Sequence, residues 1–68
     1  MQMIPVQSSN LLSVGYENGI LYIEFNNGSM YSYDNVPVSV YQELMSAPSH
    51  GKYFHTHIKN CFAYTKIF

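Results

Sequence analysis

At 68 residues the chain has room for one domain, and a domain so short hides only about 60% of the surface its unfolded chain exposes. Apolar residues make up 47% and charged residues 10%, with three lysines and no arginine against four acids, for a net charge of −1. That balance is a poor credential for binding nucleic acid through charge alone, while seven tyrosines and four phenylalanines leave aromatic surface over for contact with a partner.

Two further classes fall away early. Cys61 is the single cysteine, so an intrachain disulfide is excluded and no oxidising compartment is indicated. The opening Met1-Gln2-Met3-Ile4-Pro5 lacks the basic start and apolar run of an export signal, and nothing approaches the ~18 apolar residues of a membrane span. A cytoplasmic protein with no membrane contact is expected, and no cofactor is called for.

In chain order, residues 1–7 read as an N-terminal extension and 8–68 as a single α+β domain. Asn18-Gly19 and Asn27-Gly28 each separate segments rich in β-formers, and Asn-Gly suits the positive φ of a two-residue type I′ turn. Three antiparallel strands near 10–17, 20–26 and 29–34 follow. The first turn pairs Glu17 with Ile20, Tyr16 with Leu21, Val14 with Ile23 and Leu12 with Phe25, so alternation puts six apolar side chains on one core face.

The same rule at the second turn pairs Phe25 with Met30, Glu24 with Tyr31 and Tyr22 with Tyr33. Tyr31 and Tyr33 would then share the reverse face with Tyr22, Ile20, Leu11 and Glu24. A three-residue loop with a bulge after Gly28 would shift the pairing by one and move both tyrosines into the core. We take the two-residue register.

Val36-Pro37 breaks the sheet and opens a first helix from about 37–39 to Ala47, with Ser39 and Gln42 offering an alternative capping box. Val36, Val40, Leu44 and Ala47 form its apolar stripe. Ser49 caps a second helix from about His50 to Asn60, with Phe54 and Ile58 as its buried side. Phe62 to Ile67 alternates and reads as a closing strand at a sheet edge.

The ordered set Ser8-Ser9-Asn10, Gly15-Tyr16, Tyr31-Ser32-Tyr33, Val36-Pro37, Ala47-Pro48-Ser49, Gly51-Lys52-Tyr53-Phe54 and Ile58-Lys59 resembles the KTSC domain. That family takes its name from the C-terminus of some lysyl-tRNA synthetases and also occurs as a stand-alone bacterial protein. The resemblance implies a compact α+β module with a central Tyr-x-Tyr, and RNA as a ligand. The chain departs from the family in having His55 where Asn is usual, Lys59 where Arg is usual, and a less basic ending at 60–66. Each lost Arg removes a two-pronged phosphate contact that Lys does not replace.

These features frame the functional expectations. All four acids precede residue 44, whereas Lys52, Lys59, Lys66 and all three histidines follow it. Rings of Tyr22, Tyr31 and Tyr33 beside a basic second helix bearing Lys52, Tyr53, His55 and Lys59 would stack unpaired bases while lysines hold the backbone; Glu24 among the rings argues against it. The alternative is a protein-interaction or self-associating module, a small bacterial or phage regulator, using Leu11, Ile20, Tyr22, Tyr31 and Tyr33 as an interface. Ser49, Gly51 and Lys52 mark a helix start that can receive an anion, against the plainer reading of a cap and a packed joint. No metal is expected: His55 and His57 diverge by about 200° on a helix, and His57 with Cys61 supplies two ligands where structural zinc takes four. Cys61 is expected to be buried, and without an activating base and orienting group it gives no enzyme.

Overall fold

The computed structural model describes residues 1–68. Asn18 and Gly19 both take positive φ, 54° and 79°, as a type I′ turn demands. The strands on either side, β2 (Leu11–Glu17) and β3 (Ile20–Phe25), pair as expected from Glu17↔Ile20 through Val14↔Ile23. Ser13 opposite Glu24 keeps that register, and beyond it the pairing slips by one, with Leu11 in place of Leu12 opposite Phe25. Leu12 is the extra residue of this bulge and turns outward, 46% exposed, while Leu11 takes the core position.

The second turn is not the first repeated. Gly28 has positive φ (91°) but Asn27 does not; the N–H of Gly28 donates to the carbonyl of Phe25, and that of Phe25 to Ser29. This is the three-residue loop closed by a glycine bulge. Asn27 Oδ1 holds it by accepting from the N–H and hydroxyl of Ser29 at 3.0 and 2.7 Å. Strand β4 (Met30–Tyr33) therefore pairs Glu24 with Met30, Ile23 with Tyr31 and Leu21 with Tyr33. Leu21 and Ile23 are wholly buried, so Tyr31 and Tyr33 lie on the core face, and their expected place on the reverse face beside Tyr22 is overturned.

Two short strands finish the antiparallel sheet, in the order β1-β2-β3-β4-β5. Strand β1 (Ile4–Pro5) lies inside the stretch read as an extension and runs along β2; a proline, lacking an N–H, is tolerated at such an edge. Strand β5 (Tyr64–Lys66) covers the open side of β4, pairing Tyr64 with Tyr33 and Lys66 with Tyr31.

Both helices pack on the face that carries Val14, Leu21 and Ile23. Helix α1 (Val38–Ser46) starts after Pro37 with no side-chain cap, so the Ser39–Gln42 box is not used. It is pinned by fully buried Leu44, by Val36 just before it, and by stacking of Tyr41 on Tyr16 with ring centroids 5.0 Å apart. Helix α2 (His50–His57) is capped by Ser49, whose Oγ accepts from the N–H of Lys52 at 3.2 Å. It ends earlier than its periodicity suggests, because the N–H of Ile58 and of Lys59 both turn back to the Phe54 carbonyl and Asn60 enters the left-handed region. Phe54 and Ile58 supply its buried side. No helix is long and apolar enough to cross a membrane.

Candidate functional site

The helices leave the β4–β5 end of the sheet uncovered on their own side. Alternation brings Phe25, Tyr31, Tyr33 and Tyr64 to that surface, and α2 adds Phe54 from above. The five rings form one cluster. Tyr33 meets Phe54 edge-on at 5.6 Å, Phe25 meets Tyr31 edge-on at 5.7 Å, and Tyr64 lies 5.7 Å from Tyr31 at 45°. Tyr33 and Phe54 are the inner layer at 4% exposure each, while Tyr31 is half-buried and Tyr64 is 58% exposed. This cluster floors a groove of about 550 Å³.

The rim is polar. His55 and Lys59, with Asn60, border it from the end of α2; Asn26, Asn27 and Ser29 from the β3–β4 turn; Ser9 and Asn10 from the corner before β2. Asn26 ties the last two together, its Nδ2 donating to the Ser9 carbonyl at 2.9 Å and its N–H to that of Asn10. None of the four carboxylates lines the groove. For Glu24 the shifted register is the cause: it moves Tyr31 and Tyr33 to the core face and leaves Glu24 on the reverse face, accepting from Ser13 Oγ at 2.9 Å. Glu17 takes the N-terminal amine at 3.3 Å and Glu43 the Tyr53 hydroxyl. Burial first, then the neighbouring phenols of Tyr31 and Tyr64, pushes the Tyr33 hydroxyl up to about 12.

Residues 7–62 match the profile of the KTSC domain family. The chain belongs to that family. A crystal structure of a KTSC domain protein from Yersinia pestis superposes with a TM-score of 0.92 at 43% identity, covering 98% of this chain and 97% of that one. An uncharacterized protein of Stutzerimonas stutzeri is 45% identical over 56 residues, 79% of either chain. A lysine–tRNA ligase of Nostoc is 49% identical over 47 residues, 69% of this chain but only 8% of the ligase.

In this KTSC domain the residues singled out from the sequence divide among three places. Tyr31, Tyr33, His55 and Lys59 meet in the groove. Tyr22 lies on the opposite face, opposite Ser32 and Gly15 in the sheet. Lys52 and Tyr53, with His57, lie on the other side of α2 in a separate hollow against Ala47 and Pro48, where slight burial and then the Glu43 carboxylate, 2.7 Å away, hold the Tyr53 hydroxyl up at about 12. The interface imagined for self-association is broken up, since Leu11 and Tyr33 are buried and Ile20 and Tyr22 remain.

At the α2 start, read as able to receive an anion, the geometry matches the plainer account of a cap and a packed joint. Ser49 Oγ is engaged by Lys52, and Gly51 is buried against the Ser8–Asn10 corner, where an added Cβ would sit 2.9 Å from Asn10 Oδ1 and 3.2 Å from Ser8 Oγ. Gly51 is there for close approach. Cys61, expected inside, is exposed. Sequence reasoning missed Asn10, Asn26 and Tyr64 as groove residues; Tyr64 becomes the neighbour of the Tyr-x-Tyr pair through the pairing of β5 with β4, a long-range register that no local turn signal carries.

Proposed function

We propose that this domain is a non-catalytic module that binds unpaired RNA nucleotides in the ring-floored groove. The observation that carries the reading is the coincidence, in one groove, of half-exposed Tyr31 and exposed Tyr64 with Lys59 and His55 and without a carboxylate. Bases of any identity stack on phenol rings, and a neighbouring ammonium holds the connecting phosphate. The objection raised by Glu24 is removed, because that carboxylate faces away and is occupied by Ser13. Membership of lysine–tRNA ligases among the relatives supports RNA as the ligand class.

The test is a titration of the protein with single-stranded oligouridylate and oligoadenylate, followed by tyrosine fluorescence or amide shifts. Replacing a stacking ring costs about 1–3 kcal/mol per base, so Tyr64→Ser, at a site exposed enough to spare the fold, should weaken binding at least fivefold. Tyr22→Ser, on the far face, should leave it unchanged. Equal loss in both variants, or no shifts around the groove at low salt, would remove the RNA reading.

A further inference from the structure

We infer that the groove engages no more than two phosphates, so that its ligand is a short unpaired segment of two or three nucleotides held chiefly through its bases. This rests on the RNA reading above and adds the length and charge of what is bound. The chain has three lysines and no arginine, and their positions decide how many can serve the groove. Lys59 lines it. Lys66 is the register partner of Tyr31 and therefore projects from the same face, one strand away. Lys52 is in the hollow on the other side of α2, and the N-terminal amine is paired with Glu17. Two lysines remain, Lys59 and Lys66. The floor has a matching size, since about 550 Å³ is the volume of a single small-ligand site and not of an extended channel.

The count is measurable as a salt dependence. Each phosphate neutralised contributes about −0.7 to the slope of log K against log salt for a single strand, so two give about −1.4, and raising salt from about 50 to about 200 mM weakens binding about sevenfold. A track of six phosphates would weaken it about 300-fold over the same range. The experiment uses the full chain with oligouridylates and oligoadenylates of two to ten nucleotides. Affinity should rise from dimer to trimer and then level off. Lys59→Gln and Lys66→Gln should each reduce the salt effect to about two- to threefold, the value for one phosphate, and Lys52→Gln should leave it at sevenfold. Affinity that keeps climbing to ten nucleotides with a loss of a hundredfold or more in salt, or a salt effect that depends on Lys52, would overturn the count while leaving RNA binding intact. Absence of binding at every length would overturn the RNA reading itself and the count with it.

Discussion

Tyr33 shows how one side chain can be structural and still shape a surface. It is 4% exposed, pressed edge-on against Phe54, and supports the more exposed Tyr31 and Tyr64 at ring distances of 6.5 and 6.0 Å. Burial raises its hydroxyl from 10.0 to about 12, which links the fold to alkali. The unfolded chain releases this proton first, so the stability contributed by the neutral phenol is complete below pH 10 and is lost as pH rises towards 12. Tyr33→Phe removes the proton while keeping the ring. Urea unfolding at pH 9, 10 and 11 should show wild type falling faster than the variant above pH 10, by up to about 1.4 kcal/mol per pH unit. Parallel curves would mean that the hydroxyl is hydrated in the fold.

At the scale of elements, two identical dipeptides behaved differently. Asn18-Gly19 was legible because both residues take the positive φ of the two-residue turn and the one bond from outside, the Val36 N–H on the Gly19 carbonyl, leaves that turn intact, so the pairing beside it held. Asn27-Gly28 was not, because Asn26 before it is committed to Ser8 and Ser9, far away in sequence, and Asn27 uses its side chain on Ser29. The loop length was set by contacts that a local pattern does not contain. The strand phase, and with it the face of Tyr31 and Tyr33, followed from that one residue. The helices were legible from their apolar spacing and from Ser49, although the C-terminal turn at Asn60 was hidden by the continuing pattern. The packed joint at Gly51 belongs to the same scale. A side chain there must displace Asn10 and Ser8, and overpacking of this kind costs about 1–3 kcal/mol. Gly51→Leu should lower the urea midpoint accordingly and shift the amides of residues 8–10, whereas Lys52→Leu, exposed one position along, should do neither.

For the molecule as a whole, small size makes stability a sensitive reporter of binding. A core of nine buried apolar residues in a domain of this length supplies only about 3–5 kcal/mol. Any ligand that binds the folded chain alone adds RT ln(1 + [L]/Kd), about 1.4 kcal/mol at ten times Kd, whether Kd is tight or weak. In a domain of 60–100 residues each kcal/mol moves the melting temperature by about 4–8 °C, so a trinucleotide at that concentration should raise it by about 6–11 °C. The groove joins the β2 corner, the β3–β4 turn, β5 and the end of α2, so ligand bound there couples to global unfolding and not to the fraying of one element. Tyr64→Ser, whose ring is mostly outside the core, should melt close to wild type without ligand and should show a reduced rise at the same trinucleotide concentration. A variant with the full rise would place the bound nucleotide away from the rings, and a wild-type protein with none at millimolar trinucleotide would mean that the groove does not hold RNA.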